Sequence, residues 1–542
     1  MSQNDSSSVS LSSDAASVES LYTRKATGLT REISLGSNVA LNVSNMGIAF
    51  AALAVTTIPF AYAGANLLVS AIVATALAVA PVLLFGLFST AMPRSGGDYL
   101  FVGRTIHPWL GLGTNVNITA WFLLVMPFLA FLLPVFGIST AFATIGAVAD
   151  SPTLVRWSAT VTQDGWTFGI ALAALILVTV AASLRLRYTL LVAKVLFAMS
   201  VVCVGMAIII LLINDANDFK AAVTRFGGSY DTIIADAAKA GYQSGAFSWS
   251  DTLLSSILIY AALGYGFVTA YTAGEVRSPR KLALRGMGLS LAVAAIPVIL
   301  LFGLVGRTFG REFIGSATFL SNTGDSAYPF SVPSNFFFYV DMLSDSTLVV
   351  AIIGISFAAA IVATMIPTFL VATRNIFAWS FDRVAPTKIS EVNARTRSPL
   401  VANGIILIVG VAYLAFLVYG SASFFEVQAT LIFGPLVTFV AVALAAIVLP
   451  FTRRSFYDTS AIEHSIGPFP VISLVGVYSL GVFLFVAITV ATSDVLGVFT
   501  HGGLIAIAVI GVISALFYPV AYIVNRARGI DLGLARLELP PE

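Results

Sequence analysis

The sequence predicts an all-α polytopic membrane protein that crosses the bilayer about twelve times. Of its 542 residues, 58% are hydrophobic and only 10% are charged, whereas an ordinary soluble domain has about 25% charged residues. Apolar runs of about 18 residues or more recur along the chain, and this length is enough to cross a hydrocarbon core of about 30 Å. The runs lack the alternating pattern of a membrane β-barrel, so helices are the structure that can satisfy their backbone hydrogen bonds in lipid.

Twelve apolar segments follow one another, and we number them span 1 to span 12. Their predicted bounds are 36–62, 66–91, 111–136, 165–183, 189–213, 251–275, 284–306, 346–373, 398–419, 427–450, 470–492 and 501–525. The Ser-rich segment 1–30 lacks the apolar core of a signal peptide and is predicted to be a disordered cytoplasmic tail. The long connections 214–250 and 307–345 are predicted to form small caps on the far side of the membrane.

An even number of spans places both termini on one side, and the basic residues indicate which side this is. Of the 28 Lys and Arg residues, only six lie in connections on the opposite side. These six are Arg156, Lys220, Arg225, Lys239, Arg307 and Arg311. Because Lys and Arg accumulate in cytoplasmic loops, the sequence predicts that both termini are cytoplasmic. The net charge of +2 gives no indication of a nucleic-acid partner.

Spans 1 and 6 contain segments that are unfavourable for a continuous helix. Span 1 carries NVSNMGI at 42–48, and span 6 carries YAALGYGF at 260–267. Asn, Ser and Gly have low helix propensity, although small residues can also simply allow close helix packing. The two segments stand five spans apart, which favours two broken helices in an inverted repeat with a substrate site between them.

Three loop motifs resemble the amino acid-polyamine-organocation superfamily of permeases. They are PRSGGDY at 93–99 after span 2, EVRSPR at 275–280 after span 6 and RNIFAWSFDRVAP at 374–386 after span 8. The resemblance implies a transport core at 31–450, built as a five-plus-five inverted repeat with halves at about 36–213 and 251–450. Residues 451–525 would then add two further spans, and 526–542 a cytoplasmic tail.

The same resemblance implies where a substrate would bind. The implied partners of its carboxylate are the backbone amides of Asn45, Met46, Gly47 and Ile48. Those of its amine are the carbonyls of Ala262, Leu263 and Gly264, and either Tyr265 or Phe267 would close over the substrate as a gate. Trp121 in span 3 could form a wall of the pocket or serve only in helix packing.

The resemblance also implies a coupling element in span 5. Lys194 lies within the predicted span, and its ammonium would replace a sodium ion between spans 1 and 8. Alternatively, its long side chain would snorkel to the membrane interface. Ser356 and Thr364, two helical turns apart on span 8, could supply hydroxyl groups to the cation, or they could be helix-packing residues.

The expected function is secondary active transport of an amino acid across the plasma membrane by alternating access, without sodium and with proton coupling or exchange. No zinc-ligand spacing, P-loop or Ser-His-Asp set is apparent, so neither an enzyme nor a cofactor or metal is expected. Two alternatives remain open. A polyamine or other organic-cation permease would require acidic or aromatic side chains in the pocket, and a solute receptor that transports nothing would usually have a large cytoplasmic domain. The oligomeric state is left undetermined.

Overall fold

The chain folds as a polytopic helical membrane protein, as predicted. The computed structural model describes residues 31–393, 395–420, 424–493 and 501–529. The predicted tail at 1–30 and most of that at 526–542 lie outside the described residues. Within the described part, ten helices are long and apolar enough to cross a membrane, and the two parts of span 1, bent by 47°, make an eleventh. Trp249–Leu263, a shorter apolar helix, begins span 6.

Eight spans are single helices, and four are interrupted. The single helices are Leu67–Ala91 (span 2), Asp164–Ser183 (span 4), Leu186–Ile213 (span 5), Pro279–Thr308 (span 7), Thr347–Phe381 (span 8), Leu400–Tyr419 (span 9), Val471–Thr492 (span 11) and His501–Ala527 (span 12). Span 1 consists of Leu35–Met46, Ile48–Ala51 and Ala54–Ala61. Span 3 consists of Pro108–Leu132, a π-helical turn at Leu133–Ile138, and Ser139–Val148. Span 6 continues after Leu263 only as 3-10 turns at Val268–Ala270 and Ala273–Glu275, and span 10 consists of Phe424–Phe433 and Leu436–Thr452.

Shorter elements occupy the connections between the spans. On the side of the two termini, the terminus side, they are the helix Asp98–Thr105, the 3-10 turn Thr387–Ser390, the helix Arg454–Asp458, and the antiparallel strands β1 (Ser465–Ile466) and β2 (Phe469–Pro470). On the far side they are the helices Pro152–Thr160, Ala216–Arg225, Tyr230–Lys239, Arg311–Thr323 and Phe336–Met342. The long connections 214–250 and 307–345 thus contain folded helices, as predicted for caps.

Capping side chains and a proline set where several spans begin. The side chain of Asn66 accepts a hydrogen bond from the N–H of Val69 at 3.1 Å at the start of span 2. Ser248 Oγ accepts from the N–H of Asp251 at 3.1 Å at the start of span 6. Pro108 occupies the first turn of span 3, where its missing N–H would have no intrahelical partner anyway.

The broken spans lie inside the bundle. The first helix of span 1 contacts spans 5, 7 and 8, while span 7 packs along span 2 and span 8 packs against spans 3 and 5. Span 12 is peripheral, with only 17% of its apolar window buried, compared with 67% for span 8. Neighbouring helices therefore shield the free backbone groups of spans 1 and 6 from lipid, where such groups would be costly.

Spans 3 and 10 differ from their predicted form in ways that affect the interior of the bundle. Span 3 was predicted to end at residue 136, but it continues through the π-helical turn to Val148. Its far end is covered by the helix Pro152–Thr160, and Ser139 Oγ donates to the carbonyl of Ser158 at 2.9 Å. Span 10 was predicted to be unbroken, but its helices separate at 434–435, where proline cannot continue the backbone hydrogen bonding.

Candidate functional site

Span 1 breaks at Gly47. Its φ of 61° and ψ of 62° lie in the left-handed region, which glycine adopts without steric cost. A Cβ at this position would stand 2.9 Å from Phe50 Cδ2 and 3.4 Å from Thr364 Oγ1, so glycine also permits span 8 to approach closely. One helix ends at Met46 and another begins at Ile48. Backbone groups at the break therefore lack partners within their own helices.

Span 6 loses its regular helix after Leu263. Residues 264–267 form turns, and two 3-10 turns follow. The sequence indicated a break within 260–267, but the break begins at Gly264 and extends to Glu275. The end of the segment is held by backbone hydrogen bonds, from the N–H of Ile33 to the carbonyl of Glu275 at 2.9 Å and from the N–H of Arg277 to the carbonyl of Ile33 at 3.0 Å. Tertiary contacts therefore hold the terminus-side half of span 6.

Asparagine side chains of span 1 connect the two breaks. Asn45 Nδ2 donates to the carbonyl of Tyr265 at 2.9 Å, and Asn45 Oδ1 accepts from the hydroxyl of Thr368 in span 8 at 3.2 Å. Asn42 Nδ2 donates to Thr269 Oγ1 at 3.0 Å, and Asn42 Oδ1 accepts from the N–H of Thr269 at 3.2 Å. These amides satisfy backbone groups that the missing helical turns of span 6 leave free.

A cavity of about 160 Å³ lies beside both breaks. Its lining residues on spans 1, 6 and 8 are Asn45, Met46, Gly47, Phe50, Leu53, Ala54, Thr57, Leu258, Ala261, Ala262, Tyr265, Thr364 and Thr368. Those on spans 3 and 10 are Trp121, Phe122, Val125, Phe128, Leu129, Leu132, Gln428, Leu431, Ile432 and Pro435. None of these lining residues is charged. A ligand with a net charge would therefore lose its hydration without gaining a counter-ion from them.

The cavity is closed on the terminus side. Phe267 stacks on Phe85 with ring centroids 4.3 Å apart and meets Phe439 edge-on at 5.2 Å. Beyond this aromatic layer, Glu275 of span 6 and Arg374 of span 8 form a buried bidentate ion pair, in which Arg374 Nη2 lies 3.1 Å from Glu275 Oε2. The lining residues of spans 1, 6 and 10 lie largely on the far-side halves of their spans. The cavity thus extends from the breaks toward the far side.

The loop after span 2 adds to this closure. Asp98 is fully buried, its Oδ1 accepts from Asn115 Nδ2 of span 3 at 2.9 Å, and the N–H of Gly96 donates to the carbonyl of Tyr271 at 3.1 Å. Burial raises the pKa of the Asp98 carboxyl to about 7, an effect that the hydrogen bond from Asn115 partly offsets. The loop therefore contacts span 3 through the Asp98 carboxyl and the unwound half of span 6 through the N–H of Gly96.

The structure brings about half of the predicted site residues to the cavity. Those that line it are Asn45, Met46, Gly47, Ala262, Tyr265 and Thr364. Those that do not are Ile48, Leu263, Gly264, Phe267 and Ser356, all of which are buried in packing. Phe267 belongs to the aromatic layer, so its predicted position as a gate over the substrate is not observed. Within the described residues, no group of three or more His, Cys, Asp or Glu side chains could hold a metal ion.

Lys194 does not reach the cavity. It lies on the exposed side of span 5, next to Leu191 and Val195, whose exposed fractions are 58% and 53%, whereas its neighbour Ala193 is only 1% exposed. An ammonium on this face cannot lie between spans 1 and 8. The prediction of a buried Lys194 in place of a sodium ion is therefore wrong, and the alternative of a snorkelling lysine fits the observed position.

Sequence reasoning missed most of the wall formed by spans 3 and 10. Trp121 was considered as a possible wall, but Phe128, Gln428 and Leu431 were not. One signal was present in the sequence, since a Gly-Pro pair at 434–435 interrupts span 10 just as Asn and Gly residues interrupt span 1. The remaining wall residues are apolar and cannot be distinguished by type from packing residues.

The fold and the site together define a class of protein. Two broken spans beside a cavity, inside a polytopic helical bundle, are the architecture of a secondary transporter. The family model described as amino acid permease matches residues 33–524, and the chain belongs to that family, within the amino acid-polyamine-organocation superfamily to which the loop motifs pointed. Membership indicates amino-acid transport in general.

Solved structures support the fold. Among the 169 chains that match, one is MhsT, whose crystal structure was determined in complex with L-phenylalanine. Its alignment covers 85% of this chain and 99% of MhsT, with a TM-score of 0.50 and 14% sequence identity. At this identity the likeness concerns the fold alone. No curated protein sequence matches the chain significantly.

Proposed function

We propose that this protein is a sodium-independent amino-acid exchanger of the plasma membrane, with alternating access at the cavity beside spans 1 and 6. The observation that carries the proposal is an uncharged cavity next to two helix breaks. In broken-helix transporters, helix ends and unwound carbonyls face the charged groups of the substrate. An amino-acid zwitterion has no net charge. Backbone groups near Gly47 and Ala262 can therefore bind its carboxylate and its ammonium, while its side chain occupies the apolar part of the cavity.

The uncharged lining also argues against a polyamine. A polyamine enters with several positive charges, and each would need a carboxylate or a comparable group to replace its hydration. The described lining offers only amides, hydroxyls and aromatic rings. An aromatic ring contributes only about 0.5–2 kcal/mol to a cation, which does not offset the desolvation of several ammonium groups.

Sodium independence is supported by a hydrogen bond that already joins the two helix breaks. The Tyr265 carbonyl, which could have faced a cation, accepts a hydrogen bond from Asn45. A protein donor thus already pairs with the carbonyl oxygen that the break of span 6 exposes beside span 1.

Exchange is favoured over proton symport for a similar reason. The lining contains no His, Asp, Glu or Lys, and Lys194, the residue considered for coupling, lies outside the cavity. A transporter without a coupling ion at its site moves its substrate down the substrate's own gradient or against another amino acid.

Uptake into proteoliposomes tests this proposal. We expect labelled neutral amino acids to enter vesicles that contain an unlabelled amino acid, at a rate unchanged when external sodium is replaced by choline. Empty vesicles should accumulate little, with or without an inward proton gradient. Strict sodium dependence, or concentrative uptake into empty vesicles driven by the proton gradient, would contradict the proposed exchange.

The orientation has its own test. We infer cytoplasmic termini from the distribution of Lys and Arg. In a Cys203→Ser background, which removes the one cysteine of the chain, Ser229→Cys on the far side should react with an impermeant thiol reagent added to intact cells. Lys388→Cys, exposed between spans 8 and 9, should react only after the membrane is opened. The reverse pattern would invert the topology.

A further inference from the structure

The cavity beside the two breaks is small. Its volume of about 160 Å³ is close to that of an apolar cavity of about 150 Å³ that holds benzene in another protein. Part of the cavity lies toward the far side, where Leu53, Ala54 and Thr57 of span 1 line it. The measured volume is therefore an upper limit for the room that a substrate finds between the breaks and the opposite wall.

Bulky side chains of the protein occupy the side of the cavity opposite the breaks, which is formed by spans 3 and 10. Four of the lining residues on these spans pack in one hydrophobic cluster, and they are Trp121, Phe128, Leu132 and Leu431. Each is at most 8% exposed. Since close packing leaves few voids between such side chains, they fill the region that a long substrate side chain would need.

This wall cannot easily withdraw to admit a larger substrate. Trp121 Nε1 donates to Asn117 Oδ1 at 3.2 Å, and Asn117 Nδ2 donates to the carbonyl of Gly434 in span 10 at 2.9 Å. The indole also lies so close to Gly434 that a Cβ there would overlap it. Because the ring is held by these hydrogen bonds and packs directly on the backbone of span 10, moving the ring requires moving that span.

We propose that the substrates are small neutral amino acids, of which alanine fits best, and that the wall of spans 3 and 10 excludes side chains as large as those of leucine and phenylalanine. This inference rests on the proposed function and names its substrate class. Alanine has as many non-hydrogen atoms as benzene, so the cavity holds its carboxylate, ammonium and methyl groups together. Leucine adds an isopropyl group, for which the filled wall leaves no room.

The order of preference distinguishes a size limit from simple hydrophobic binding. Extra methylene groups forced into a close-packed site displace side chains and backbone, and the free-energy cost corresponds to at least about a tenfold loss of affinity. A site without a size limit would show the opposite order, because burial of additional CH₂ groups favours the larger ligand. Alanine and leucine make a suitable pair, since both are neutral and they differ only in the isopropyl group.

The experiment measures the half-saturating concentrations of alanine, leucine and phenylalanine for uptake into proteoliposomes loaded with all three. In the wild type the value for leucine should be at least about ten times that for alanine. Leu431→Ala removes from the wall the same isopropyl group that leucine adds to alanine, and it should lower the value for leucine about tenfold. Val125→Ala, a smaller change at a half-buried lining residue of span 3, should lower it by less.

Leu414→Ala in span 9 is the matched control. Leu414 is fully buried but does not line the cavity, so the change removes the same group from the interior without enlarging the substrate site. The control should retain the wild-type preference for alanine. Thermal unfolding in detergent shows whether each variant remains folded.

Two results would overturn the inference. One is a wild type that takes up leucine or phenylalanine as readily as alanine. The other is a folded Val125→Ala variant that, like Leu431→Ala, takes up leucine no better than the wild type does. Failure of the proposed function gives a different result, because the wild type would then exchange none of the three amino acids.

Discussion

Gly434→Ala is expected to reduce amino-acid uptake about a hundredfold, because misplacing a group at a site by about 1 Å can cost that much. A Cβ at Gly434 would overlap the indole of Trp121. The indole cannot withdraw easily, since it is buried and bonded to Asn117, which also holds the Gly434 carbonyl. The ring would move into the cavity and occupy substrate space. Proteoliposome uptake measures the loss, and the thermal midpoint in detergent measures any loss of folding.

Two further variants make this prediction specific. Gly481→Ala in span 11 adds the same methyl group where no atom lies within 4 Å, and it should transport normally. Trp121→Phe in the Gly434→Ala background provides a smaller ring and should recover part of the uptake. Normal transport by Gly434→Ala itself would show that Trp121 does not form a wall of the substrate site.

Glu275→Gln is expected to destabilise the folded protein by about 3–5 kcal/mol, because it leaves the Arg374 guanidinium buried without its counter-ion. The side chains of Arg374 and Glu275 are 6% and 1% exposed, so water cannot replace the lost partner. The pair also joins span 8 to the unwound end of span 6, and its loss should loosen the terminus side of the bundle. Thermal unfolding in detergent and the yield of monodisperse protein measure the effect.

A variant in which both partners are replaced distinguishes the cost of a buried unpaired charge from the cost of losing one contact. Replacing a buried ion pair by apolar side chains of similar volume is often close to neutral, so Glu275→Met with Arg374→Met should be more stable than Glu275→Gln alone. Asp236→Asn is the matched control, because it breaks the exposed pair with Lys239, and such pairs contribute only about 0–1 kcal/mol. Equal effects of the buried and exposed changes would refute the assigned role of the pair.

Composition and the Asn-rich and Gly-rich segments were enough to predict the fold class and the break at Gly47, because these features depend on hydropathy and local backbone conformation. The face on which a residue lies was harder to predict. Span 5 is apolar on all sides, so no periodicity revealed that Ala193 faces the core while Lys194 faces outward. The break of span 6 continues to Glu275 because contacts with Ile33, Asn42 and the loop at Gly96 replace helical hydrogen bonds. Such partners are remote in sequence.

The asparagines of span 1 also affect how the protein is made. Asn45 bonds to the Tyr265 carbonyl and Asn38 to the Leu282 carbonyl, partners that lie 220 and 244 residues further along the chain. A ribosome adds about 5–20 residues per second, so these partners emerge about 10–50 s after span 1. The first span to leave the ribosome is therefore among the last to complete its native hydrogen bonds. Until the second half of the core has been synthesised, water or the insertion machinery has to solvate its amides.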